Sequence, residues 1–204
     1  MTSSNNLYDL VIKAYNEGAV FVAFDLETTG LEPRMDQIVE IGAIKFDREG
    51  PIARFSTLIN PGIPMPAEAG RVNNITDEML KGKPFIDDVF PEYLLFIQGA
   101  ILAAHNAPFD CGFINQKLKD CWEEGGSAFF TERTWTSPFP ALPNPIADTL
   151  VFSREAFRGL PSYSLQNLAV KLGLPAIDAH RAEDDARLCM EIFIRIHGLT
   201  HIEP

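Results

Sequence analysis

The sequence is short of positive charge. Seventeen Lys and Arg stand against 28 Asp and Glu in 204 residues, a formal net charge of -11. Gripping a long polyanion requires clustered Lys and Arg, so a broad basic binding face is excluded and any such contact must be short and local. Cysteine is also scarce. Cys111, Cys121 and Cys189 form no CxxC pair, and an odd count rules out a simple disulfide framework. They read as reduced packing residues of a cytoplasmic protein. Long apolar runs are missing too: the longest, Leu94 to Ala104, is broken by Gln98 and Gly99, and residues 1–18 carry no charged segment followed by an apolar core. The expectation is a chain that neither spans a membrane nor is exported by that route.

What remains is ordinary for a folded protein, with 46% apolar and 22% charged residues. One core can serve a chain of this length. The organisation expected is a helical extension over 1–18, then a single domain over 19–204 with a Pro/Gly-rich loop at about 123–147, where Trp135 and Phe139 lie among Pro138, Pro140, Pro143 and Pro145. Loops of that length are usually functional or poorly ordered. Strands are expected at Ala19 to Leu26, Ile38 to Phe46, Arg54 to Ile59 and Ile101 to Ala104. Helices are expected at Leu7 to Tyr15, from Thr76, at Asp87 to Ile97, Phe109 to Leu118, Asp148 to Phe157, Ser164 to Leu172 closed by Gly173, and Ala182 to His197 closed by Gly198. Strands first and helices after, with a βα alternation, mean an α/β fold with a central mixed sheet whose first three strands form an antiparallel meander.

Three separated segments carry acids in patterns suited to one site. In Phe21-Val22-Ala23-Phe24-Asp25-Leu26-Glu27-Thr28-Thr29-Gly30 an apolar run acquires two acids and breaks at glycine. Alternation along a strand points Asp25 and Glu27 the same way, roughly 7 Å apart. Acids at a strand end often simply face water. Here the run before them suits a strand buried on both faces, and no basic residue occurs between Asp25 and Arg34, so a bound cation resolves the charge. The second segment, His105-Asn106-Ala107-Pro108-Phe109-Asp110, is a turn into a helix whose first turn carries Asp110. Asp110 favours the helix N-terminus in any case, which does not preclude metal binding. His105 reads as a hydrogen-bonding partner in the turn, and Asn106 either braces it or touches substrate. The third segment, His180-Arg181-Ala182-Glu183-Asp184-Asp185-Ala186, leads into the last helix. Ala182 and Ala186, four apart, let that helix approach the sheet and bring Asp185 to Asp25 and Glu27. Glu183 and Asp184 read as a solvated acidic first turn.

These segments, with Ile38-Val39-Glu40-Ile41-Gly42 and Asp148-Thr149, make the chain resemble the DnaQ-like 3'-to-5' exonucleases of the DEDDh group, in the ribonuclease H-like superfamily, from Phe21 to about Ile196. The resemblance implies a five-stranded sheet flanked by helices. It also implies two Mg²⁺ or Mn²⁺ ions, one held by Asp25, Glu27 and Asp185 and the other by Asp25 and Asp110. All-oxygen ligation agrees, since it selects such ions over zinc. His180 would be the general base, as suits a side chain that titrates near neutrality. The products would be nucleoside 5'-monophosphates released from single-stranded 3' ends, DNA favoured. Thr28, Thr29 and Gly30 would cradle the terminal nucleotide, with Leu31 wedged against a base and Asn106 a further contact. One departure stands out: relatives usually read His-Gly-Ile-Thr where this chain has Asn73-Asn74-Ile75-Thr76. Two other readings remain, an exoribonuclease of the ribonuclease T or oligoribonuclease type and a polymerase-bound proofreading subunit. The second ranks lower on the sequence, because bacterial proofreading subunits usually carry an extra tail and 19 residues follow Asp185. A second copy of the chain or a polymerase is the expected protein partner.

Overall fold

A computed structural model describes residues 4–123, 141–175 and 180–199. Residues 124–140 of the expected Pro/Gly-rich loop, Trp135 included, and residues 176–179 before His180 lie outside the described residues. Five strands form one sheet in the order β3-β2-β1-β4-β5: β1 (Phe21–Thr28), β2 (Ile38–Asp47), β3 (Gly50–Leu58), β4 (Ile101–Ala104) and β5 (Ile146–Asp148). β1 pairs antiparallel with β2, and β2 with β3, whereas β1 and β4, and β4 and β5, run parallel. The expected meander and mixed α/β sheet are therefore present. α1 (Ser4–Asn16) precedes the sheet, and α2 (Ala67–Asn73), α3 (Asp77–Leu80) and α4 (Ile86–Ile97) separate β3 from β4. α5 (Pro108–Glu123) links β4 towards β5, and α6 (Thr149–Ala156), α7 (Leu165–Leu172) and α8 (Ala182–Leu199) follow.

Several boundaries differ from the sequence expectation, each for a local reason. β3 begins at Gly50 rather than Arg54, because the β2–β3 turn is tight: Gly50 pairs with Asp47 at a φ of 125°, and Asp47 accepts the Glu49 N–H at 2.8 Å. Asp148 ends β5 instead of starting a helix, and its carboxylate caps α6 by accepting the Leu150 and Val151 N–H groups. Three residues are too short a run for periodicity to reveal. α2 lies where no element was expected. α8 continues through Gly198, whose backbone stays helical rather than closing the helix.

Alternation along β1 sorts its side chains between two layers. Val22, Phe24 and Leu26 face a core built with α4 and α5, while Phe21 and Ala23 face one built with α1, α6, α7 and α8. Phe21 to Phe24 are all at 0% exposure, which explains their unbroken apolar character. Tyr15 of α1 meets Phe21 and Phe193 edge-on at centroid distances of 5.6 and 5.4 Å, binding the N-terminal helix to the α8 layer. The same parity that puts Phe21 and Ala23 under α8 puts Asp25 and Glu27 there as well. No described helix is long and apolar enough to cross a membrane.

Candidate active site

The site forms where β1 stops. A register shift follows Glu27, Thr28 pairs with Ile38 as the last rung of the ladder with β2, and the chain then turns through Thr29 to Gly30. Asp36 organises that turn, accepting from the Thr29 hydroxyl at 3.2 Å and the Glu32 N–H at 2.9 Å. A Cβ at Gly30 would run into the Asp36 carboxylate, so the turn closes only around glycine. The carboxyl ends of parallel strands at a change of strand order are where open α/β sheets place their ligands. β1 and β4 meet that description.

α8 reaches β1 because β2 makes room for it. A Cβ at Gly42 would overlap the backbone of Ala182 and Glu183, and Ala182 and Ala186 are fully buried. Glu40, two residues before Gly42 and on the same face, accepts the Ala182 N–H at 3.2 Å and binds Arg181 through both carboxylate oxygens at 2.7 and 3.1 Å. With its first turn fixed, α8 delivers Asp185: one carboxylate oxygen from each of Asp25, Glu27 and Asp185 lies within 4.8 Å of the others. Asp110, 2% exposed on the first turn of α5, accepts the Leu26 N–H at 3.1 Å, between the two acids of β1.

Four carboxylates so placed repel one another in a poorly solvated space. Burial, followed by the charges of Asp110, Glu27, Asp185 and Glu40, holds the Asp25 carboxyl well above its ordinary range. Glu27 is pushed up to about 8, by burial first and then by Asp185 and Glu40. Burial raises Asp110 as well, against the pull of the Leu26 N–H, and carries Asp185 to about 6 against a hydrogen bond from Gln166. A divalent cation fits this set: the donors are all oxygen, three converge, and their mutual repulsion is what a cation relieves.

The other expected residues divide. Thr28, Thr29, Gly30 and Leu31 line a cavity of about 530 Å³ beside Glu27, closed on the far side by Pro66, Ala69, Val72 and Asn73 of the α2 region and by Phe109. Leu31 and Val72 stand 77% and 62% exposed at its mouth. Phe109 serves two purposes, lining the cavity and packing on Phe113 at 5.2 Å. Asn106 is not part of this wall; at a φ of 66° it shapes the turn, its N–H donating to Asp148 at 3.2 Å. His180 is exposed at a φ of 64°, next to Arg181, and does not belong to the carboxylate trio. His105 is the structural partner expected. Its Nε2 faces the Tyr163 carbonyl at 2.8 Å and therefore carries the proton, leaving Nδ1 to accept from the Thr149 hydroxyl at 2.9 Å. Burial lowers its pKa in keeping with the neutral ring.

One expectation fails within the third segment. Asp184 is not a solvated acid but is 9% exposed, bonded to Arg187 at 2.7 Å, because Arg187 one turn later folds back on it. The Glu40–Arg181 pair and the amides Asn73 and Gln166 escaped the sequence reading as working parts. Asn73 stood out only as a departure from a motif. For Gln166 no sequence signal exists, since an amide on an amphipathic helix looks like any solvated residue.

A mixed sheet of this order with a carboxylate cluster at the end of its first strand defines a nuclease of the ribonuclease H-like class. Residues 22–193 match the RNase_T exonuclease family, and the chain belongs to that family, as a 3'-to-5' exonuclease of the DnaQ-like kind. It is 44% identical over 189 residues to the DNA polymerase III subunit epsilon of Treponema pallidum, a match covering 92% of this chain and 80% of that one. It is also 36% identical over 176 residues to the PolC-type DNA polymerase III of Caldanaerobacter subterraneus, spanning 86% of this chain but 11% of that much longer protein. Among solved structures, exonuclease X in complex with 5' overhanging duplex DNA superposes with a TM-score of 0.64 at 25% identity, covering 90% of this chain and 94% of that one. Exonuclease I shares the fold at a TM-score of 0.67 and 20% identity, over 89% of this chain and 41% of its own.

Proposed function

We propose that the chain removes nucleotides one at a time from single-stranded DNA 3' ends, releasing nucleoside 5'-monophosphates. The observation that carries this is adjacency: the cluster of Asp25, Glu27 and Asp185 opens beside a cavity large enough for a nucleotide, and Glu27 belongs to both. Asp25, Glu27, Asp110 and Asp185 would hold two Mg²⁺ or Mn²⁺ ions. Such ions, when bound, supply charge stabilisation to the attacking and departing oxygens of an in-line phosphoryl displacement. The chain's own residues do the rest. Thr28, Thr29 and Gly30 seat the terminal nucleotide against Val72, and Leu31 packs on a base edge. Apolar contact of this sort accepts any base. His180, at an exposed turn next to the anchored Arg181, takes a proton from the attacking water as the P–O3' bond breaks. The general base is worth about 10²–10⁴-fold in rate.

A time course on matched 5'-labelled DNA and RNA strands in Mg²⁺ or Mn²⁺, with a chelator control, tests this reading. A chelator-sensitive ladder shortening from the 3' end, faster on DNA, is expected. Faster loss of RNA would favour the exoribonuclease reading, and no cleavage of either strand would refute catalysis by the chain alone.

The second reading is proofreading within a replicase, and the relatives' names favour it. The proteins reported above as 44% and 36% identical are called a polymerase III epsilon subunit and a PolC-type polymerase. On this reading the partner supplies the basic surface that a chain of net charge -11 lacks, raising a weak, distributive enzyme to useful affinity. Co-purification with a polymerase subunit and faster removal of a mismatched 3' terminus in that complex are the expected results.

A further inference from the structure

Among the described residues, the side chain that hydrogen-bonds the Asp185 carboxylate is a neutral amide. Gln166 Nε2 donates to Asp185 Oδ1 at 2.7 Å. The NH₂ group must face Asp185, because an ionised carboxylate only accepts. Asn73, which lines the cavity wall beside Glu27, donates to the Thr28 carbonyl at 3.3 Å and accepts the Ile75 N–H at 3.1 Å. Both amides stand on fixed supports. Asn73 is 2% exposed at the end of α2, where Asn74 turns the chain at a φ of 58°. Gln166 lies in the first turn of α7, a helix capped by Ser164 and seated in the core through Leu165 and Leu168. His105 holds the residue before that cap by donating to the Tyr163 carbonyl.

We propose that Gln166 is a positioning residue for the bound cations, fixing the rotation of the Asp185 carboxylate while leaving the charge of the cluster intact. The proposal rests on the reading of that cluster as a divalent-metal site. The physical reason lies in the choice of donor. A Lys or Arg at position 166 would make a stronger, charge-assisted bond, yet it would cancel part of the negative charge that draws the metal and would stabilise the metal-free cluster. An amide orients without neutralising. With one Asp185 oxygen bonded to Gln166, the other keeps a defined direction towards Asp25 and Glu27. Partners of this kind are typically worth 10–100-fold in metal affinity.

Mn²⁺ binding to the full chain, followed by calorimetry and by the electron paramagnetic resonance of free Mn²⁺, tests the proposal without relying on turnover. Gln166→Met keeps the length and helix propensity and removes the donor; Mn²⁺ affinity should fall about 10–100-fold, with the metal-free melting temperature little changed. In the exonuclease assay the same variant should need correspondingly more metal, with kcat returning towards wild type at saturating Mn²⁺. Gln166→Lys restores a donor but adds charge. It should raise the metal-free melting temperature and still bind Mn²⁺ weakly, whereas a donor needed only to dock α7 would be replaced by Lys without loss. Asn167→Ala, on the same helix but bonded to Ser162, should leave Mn²⁺ affinity as it was. Wild-type affinity in Gln166→Met, or full rescue by Lys, overturns the proposal. Absence of Mn²⁺ binding by the wild type overturns the metal-site reading beneath it.

Discussion

Glu40 and Arg181, 141 residues apart in the chain, meet in a two-pronged contact at 2.7 and 3.1 Å, and the next N–H, that of Ala182, donates to the same carboxylate. One buried acid thus holds the side chain after His180 and the start of the helix that carries Asp185. Glu40 is also the cross-strand neighbour of Glu27, so a single β2 position both crowds the cluster and anchors the segment that completes it.

Glu40→Ala should therefore damage stability and catalysis together. Removing one partner of a buried ion pair costs on the order of 3 kcal/mol, at the lower end because the Arg181 side chain stays 28% exposed. Urea unfolding measures the first effect. The second should appear as a fall in kcat, since both His180 and Asp185 lose their common support.

Gly42→Ala tests the close approach of α8 to β2. The added methyl has backbone in its way, so the helix start must shift, an overpacking effect of about 1–3 kcal/mol. The loss in Mn²⁺ affinity should exceed what that destabilisation alone explains, because Asp185 rides on the displaced turn.

The pH dependence follows from the raised carboxylates. Unfolded Asp and Glu titrate near about 4, whereas in the folded, metal-free protein Asp185 titrates at about 6 and Glu27 at about 8. Between those values the folded state holds more protons than the unfolded state, so stability in chelator should decline as pH rises from about 4 towards 8. Metal must displace those protons, so Mg²⁺ affinity should climb over the same interval and the stabilisation by Mg²⁺ should be greatest at the alkaline end. Melting curves at about pH 4.5, 6 and 7.5, all inside that window, with Mg²⁺ or chelator, check both signs. A metal-free protein that gains stability as pH rises would contradict the crowding of the cluster.

His180→Ala should lower kcat by about 10²–10⁴-fold while Mn²⁺ still binds, because His180 lies outside the carboxylate trio. Loss of Mn²⁺ binding in this variant would make His180 a ligand rather than a base.

Much of the fold could be read in advance because its signals are local. β1 shows as an apolar run, α7 shows its Ser164 cap and Gly173 stop, and the period of α4 runs from its first turn to Ile97. β5 and α2 could not, since runs of three and seven residues are too short to show a period and take their shape from neighbours already in place. The cavity wall formed by Pro66, Ala69 and Val72 was hidden for the same reason.

The sequence by itself determined which acids could meet. Asp25 and Glu27 share a face because a strand repeats every two residues, and Asp110 and Asp185 open their helices because acids favour those ends. Tertiary structure alone decided that the face of Asp25 and Glu27 is the one beneath α8, that Gly42 and Glu40 would seat the helix there, that Gln166 would bond Asp185 and that Asn73 would hold the Thr28 carbonyl. Those contacts join residues 19 to 142 positions apart, and no periodicity in the chain encodes a distance that exists only once the sheet and its helices have packed.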